Sequence, residues 1–150
     1  MLVGKPLSDM RRYVGYQNFE IGEQKPKKNH KGDDITMADW SLESNSRWRV
    51  EGPNGFVLSW EHFDPERRDE HAAPFYARLE DDPLIVQTVE LHIDGVLRLS
   101  LSEGFTLTFE PWPFEDEDVI DWGFMPPDDD TRGDLRLTAE GLGWHPIPPR

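Results

Sequence analysis

Apolar and polar residues alternate with a period of two through most of the chain, and the clearest stretch runs from Ile85 to Phe109. Ile85, Val89, Leu91 and Ile93 share one parity, Asp94-Gly95 breaks the run, Leu97, Leu99 and Leu101 follow, and Ser102-Glu103-Gly104 precedes Phe105, Leu107 and Phe109. Such alternation, interrupted by Asp-Gly and by a Gly-containing loop, predicts a three-stranded meander with one buried face. Its other face is expected to carry Glu90, His92, Arg98, Ser100, Thr106 and Thr108.

A hairpin is predicted from Arg47 to Val50, through the turn Gly52-Pro53-Asn54-Gly55, to Phe56–Trp60, packed through Trp48, Val50, Phe56, Leu58 and Trp60. Met37–Leu42 is read as its partner strand. Tyr16–Ile21, closed by Gly22, reads as a strand paired with residues 8–13, and Val119–Phe124 and Leu135–Thr138 read as short late strands. Residues 22–34 hold no apolar side chain except Pro26 and are expected to form a mobile loop. Asp64-Pro65 is a helix start, and Pro74 is expected to stop that helix, leaving one short helix near residues 65–73. The expected fold is therefore one mainly β domain of eight or nine strands, α+β at most. Its antiparallel meander would curl into a partly open barrel or a sandwich, between which the pattern does not choose.

Composition narrows the function more by exclusion than by assignment. The 150 residues include no cysteine, which excludes disulfides, thiolate metal sites and a cysteine nucleophile and fits a reducing, cytoplasmic setting. No apolar run reaches the length of a signal peptide or a membrane span. Thirty acidic residues oppose sixteen basic ones for a net charge of −14, and the acidity lies beyond residue 32. That field repels nucleic acid and anionic lipid and favours encounter with basic proteins; solubility alone is the competing explanation. The basic loop Lys25, Lys27, Lys28 and Lys31 lacks an aromatic platform and is not read as a nucleic-acid site.

Besides that basic loop, two further groups of residues merit a chemical reading. His62, Asp64, Asp69 and His71 match no familiar metal-ligand spacing, so no metal or cofactor is expected there, and a solvated short helix explains them better. No nucleophile elbow, phosphate loop or zinc-helix motif occurs, so the chain is not read as an enzyme. The third group is Glu110, Glu115, Asp116, Glu117, Asp118 and Asp121, continued by Asp128, Asp129 and Asp130 and interleaved with Trp112 and Phe114. Aromatics desolvate an interface while carboxylates attract Lys and Arg, which makes this the expected partner-binding surface. Nearby Trp122 and Phe124 share the parity of a strand and are as well explained by packing in the core. An alternative is a small-molecule pocket or enzyme lined by Trp48, Trp60 or Trp144, with His92 or His62 as its polar group.

LVGKPL near the start, WRV at 48–50, GVLRLSLSEGFTLTFEPWP from Gly95, DWGFMPPDD from Asp121 and GLGW from Gly141 together resemble a group of small acidic bacterial proteins. Mostly uncharacterised, many of that group look like immunity proteins encoded beside polymorphic toxins. The resemblance implies a cytoplasmic protein that occludes the active surface of a basic toxin domain. It assigns a role to no individual residue, and the lysine segment 25–31 reads as an insertion.

Overall fold

The fold is given by a computed structural model that describes residues 2–13, 16–29, 31–62, 68–111, 120–125, 134–138 and 141–145. Within these, side chains are described except at 12, 13, 16, 56, 62, 68–72, 120–122, 124, 125, 134–138 and 141–145. Among the described residues thirteen strands are formed: β1 Pro6–Tyr13, β2 Tyr16–Ile21, β3 Lys25–Lys28, β4 Asp34–Met37, β5 Trp40–Ser44, β6 Arg47–Gly52, β7 Gly55–Ser59, β8 Leu84–Leu91, β9 Leu97–Leu101, β10 Thr106–Glu110, β11 Ile120–Met125, β12 Asp134–Thr138 and β13 Gly141–His145, together with one α-helix, α1, at Arg68–Asp81.

Eleven strands build one antiparallel sheet in the order β13-β12-β11-β5-β2-β1-β8-β9-β10-β6-β7, and it does not close into a barrel. Only Pro6↔Ile85 and Leu7↔Leu84 join β1 to β8, so the sheet consists of two halves linked by a short seam. The halves meet face to face. Phe19 of β2 sets its ring 5.2 Å from Trp48 and 5.0 Å from Phe109, nearly perpendicular to both, and Trp48 and Phe109 are paired directly across β6 and β10. Around this cluster Leu7, Ile21, Leu42, Val50, Leu58, Leu84, Leu99 and Leu107 are all buried.

The strands of the meander, of the 47–59 hairpin and of the β1–β2 pair form where the alternation predicts them. Several expectations change. The strand count exceeds the eight or nine expected, because the polar 22–34 segment and Gly141–His145 also form strands. Met37–Leu42 does not flank the 47–59 hairpin: it divides between β4 and β5, and β5 pairs with β2 and β11. Residues 25–28 and 34–37 pair as a hairpin, β3 with β4, although every residue of β3 is exposed. Its strands are tied by directly opposed Lys28 and Asp34, 2.8 Å apart, and at its base by Lys25 and Asp39, 2.6 Å apart. Asn29 Oδ1 accepts the backbone N–H groups of Lys31 and Asp33 to shape the turn.

The helix also runs on past Pro74, to Asp81. A proline inside a helix deletes one hydrogen bond and crowds the preceding turn. Here Phe75 and Leu79, one turn apart, are buried in the core, and that burial outweighs the local cost. The predicted helix start at 64–65 lies outside the described residues.

Because Phe19 is the ring shared by both halves, Phe19→Ala is expected to destabilise the fold by about 3–5 kcal/mol. Urea unfolding checks this; a loss below about 1 kcal/mol would mean that the halves are held together elsewhere.

Candidate functional site

Of the acidic and aromatic residues expected to bind a partner, Glu110 has a described side chain. It ends β10 half-buried, and its carboxylate takes a hydrogen bond from the Arg49 guanidinium, which also holds Glu51 at 2.5 Å. These carboxylates raise the pKa of Arg49, Glu110 by hydrogen bonding more than Glu51. Glu110 is thus engaged within the chain. Trp112, Phe114, Glu115, Asp116, Glu117 and Asp118 lie outside the described residues, as do Asp128, Asp129 and Asp130. Asp121 falls on β11 where the pairing with β12 is irregular, between Ile120 and Trp122. Trp122 and Phe124 occupy register positions opposite Ser44 and Leu42.

The topology adds one constraint on this surface. The chain enters β11 at Ile120 from the first acidic segment and leaves it at Met125 for the second. Six residues of strand separate those anchor points by roughly 17 Å.

The expected tryptophan-lined pocket is not assembled from the side chains described. Trp48 is buried against Phe19, Trp60 is exposed on a 3-10 turn at Trp60–His62, and His92 stands exposed at the β8–β9 tip, 3.6 Å from Glu90. The side chains of Trp144 and His62, and the remaining members of the histidine–aspartate group, are outside the described set. Among the described residues no cluster of His, Cys, Asp or Glu is arranged to hold a metal ion.

A cleft of about 390 Å³ opens instead between the β6–β7 turn and the end of α1, lined by Gly52, Pro53, Gly55, Arg78, Glu103 and Phe105 among others. Arg78 pairs with Glu103 and lies 5.1 Å above the Phe105 ring. Glu103 adopts a left-handed backbone at φ 60°, which turns the chain tightly between β9 and β10. The charge of this cleft is therefore paired within the chain, although the buried Arg78 Nε has no hydrogen-bond partner.

A second polar group, missed in the sequence, sits on the face of β1 and β2 turned away from the core. A register irregularity between Leu7 and Asp9 brings Asp9 opposite Glu20. The Arg11 Nε donates to Asp9 at 2.6 Å and lies 3.3 Å from Glu20, while the Gln24 amide donates to Glu20 at 3.1 Å. Arg11 also reaches the carbonyl of Thr36 at 3.0 Å, so the base of the β3–β4 hairpin is fastened over the group. The side chain of Glu20 is 1% exposed, and burial raises its pKa against the opposing pull of Arg11. A carboxyl with raised pKa suits proton transfer, but one shut away from solvent reaches no substrate, so its role is structural.

A third feature is an apolar row that sequence reasoning assigned to the core. Leu84 and Val86 point inward, as does their cross-strand neighbour Leu101; then the β8–β9 register shifts between Val86 and Thr88. After that bulge the odd-numbered residues Val89 and Leu91 take the core-side positions, opposite buried Leu99 and Leu97, and Ile85 is left on the outer face. Yet Val89 is 39% and Leu91 46% exposed, and Ile93 at the turn is fully exposed. The five residues from Gln87 to Leu91 are all exposed, because β1 flanks β8 only at its first residues. Thr108, expected outside, is buried between Arg49 and Arg98 on the adjoining strands.

Compared with protein-family models, with curated proteins and with solved structures, the chain finds no match.

Glu20 gives the clearest pH test. A carboxyl whose pKa rises on folding favours the folded state at low pH, and this contribution is lost as pH rises from the ordinary value of 4.5 through the raised one. Glu20→Gln should therefore melt higher than the parent at pH 7, with the gap closing at and below about pH 4. Thermal melts across that range decide it; a variant less stable at pH 7 would mean that the pairing with Arg11 outweighs desolvation.

Proposed function

We propose that this chain is a cytoplasmic protein-binding module, and specifically an immunity protein that neutralises a cognate bacterial toxin by covering its basic active surface. The observation that carries the reading is the charge surplus. Thirty carboxylates cannot be neutralised by sixteen cations, and several of those cations are already committed within the chain: Arg11 to Asp9 and Glu20, Arg49 to Glu51 and Glu110, Arg78 to Glu103, Lys25 to Asp39 and Lys28 to Asp34. What remains is a negative field that attracts a basic protein and speeds its docking.

Occlusion requires no chemistry from the binder, which agrees with a closed Glu20 group and an Arg78 cleft whose charge is already paired. No described helix is long and apolar enough to cross a membrane. Within this reading Glu115, Asp116, Glu117 and Asp118 supply carboxylates to the contact, and Trp112 and Phe114 exclude water from it.

Affinity capture from lysate of the source bacterium, first at low salt and then at about 0.5 M, is expected to retain one stoichiometric basic protein that high salt releases. Co-expression should then rescue cells from that protein's toxicity. Reversal of Glu115, Asp116, Glu117 and Asp118 to Lys should abolish the capture without changing the circular dichroism spectrum. Retention of the partner by this variant would remove the segment from the interface, and a captured protein that harms no cell would reject the immunity role.

A further inference from the structure

We propose that the outward edge of β8, from Thr88 to Leu91, receives an extended basic segment of the partner, which joins the sheet there as an added strand. The inference rests on the reading of this chain as a binder of a basic protein and gives that binder a site.

Backbone directions define the edge. Before the bulge, Val86 faces β1: its N–H donates to the Lys5 carbonyl at 2.9 Å and its carbonyl accepts from Gly4 at 2.7 Å. After the bulge the alternation is reversed. The His92 N–H donates to the Val96 carbonyl on the β9 side at 2.9 Å, so Glu90 also faces β9 while Val89 and Leu91 turn their N–H and C=O groups outward. Beyond Val86 the lead-in to β1 bends away through the Leu2–Lys5 turn, with Gly4 at φ 87°, and no described strand follows β8 further. Among the described residues, the outward groups of Val89 and Leu91 thus form an open ladder, the geometry that strand addition uses.

The side chains supply the second half of the site. Val89 and Leu91 extend the core face into solvent beside Leu99 and Leu97, so an incoming strand would complete hydrogen bonds and cover apolar surface together. Two considerations choose the occupant. A second copy brings another −14 of charge, and an edge that ends at the Ile93 turn offers it too few residues to bury what a stable dimer requires. In the antiparallel register that pairs Val89 with Leu91 of such a copy, Glu90 would directly face its own counterpart, which is repulsive. A strand with Lys or Arg opposite Glu90 gains attraction both there and from the whole acidic surface.

The test is a titration of the full ¹⁵N-labelled chain, followed by amide chemical shifts. One probe is a capped heptapeptide of alternating Lys and Val, and the other is the same peptide with Glu for Lys. The basic peptide should shift the amides of Val89 and Leu91, and the acidic one should leave them unmoved. Leu91→Pro, which removes an outward N–H without altering charge, should weaken binding about tenfold or more. The pair Val89→Ser with Leu91→Ser keeps the backbone and should weaken it similarly, which preserves the test if the proline variant unfolds. Shifts confined to other surfaces, with these variants unaffected, would overturn the edge while leaving the basic partner intact. No shift anywhere would count against both. Sedimentation as a dimer that the serine pair dissolves would assign the edge to a second copy and overturn the proposal.

Discussion

The contact between Phe19 and the Trp48–Phe109 pair is the interaction on which the other features depend. A sheet of eleven strands joined in its middle by two residue pairs has no reason of its own to fold over. An aromatic ring from one half, set edge-on against two rings of the other, supplies that reason: it buries large apolar area on both sides and fixes their orientation. The leucines on the facing strands then pack in the space between the halves, and α1 adds Phe75 and Leu79 against it.

With the halves clasped, two small irregularities in pairing decide what is hidden and what is offered. The one in β1 turns Asp9 and Arg11 towards Glu20 and builds an ion group beneath the base of the β3–β4 hairpin. The one in β8 moves Val89 and Leu91 to the core side just where β1 no longer accompanies the strand. The first closes a polar site against solvent. The second leaves apolar side chains and outward backbone groups at the same edge, on a chain whose net charge is −14.

Legibility in the sequence followed the source of each element's stability. Strands that bury alternate residues, such as Leu97-Leu99-Leu101 and Trp48-Val50, announced themselves by period. β3 did not, because Lys25, Lys27 and Lys28 bury nothing and are held by pairing and by Asp34 and Asp39 across from them. The helix was cut short because Pro74 is a local signal, whereas the burial of Phe75 and Leu79 is a property of the folded whole. Neither bulge left a mark in composition, so Ile85 was grouped with Val89 and Leu91 although it faces the other way. The acidic segments were conspicuous as sequence, and Glu110, their described member, proved to be held by Arg49. The exposed edge of β8 was concealed because Val89 and Leu91 read as ordinary core residues until their neighbours were known.

The central claim is that β8 carries an unpaired edge in the free protein, and amide hydrogen exchange on the intact chain under native conditions measures it most directly. Val89 and Leu91 should exchange near the rate of unstructured backbone, while Val86, Glu90 and His92, whose N–H groups face β1 or β9, should be strongly protected. Protection of Val89 and Leu91 equal to that of Glu90 would contradict the account, because it would mean that the edge is already occupied within the chain.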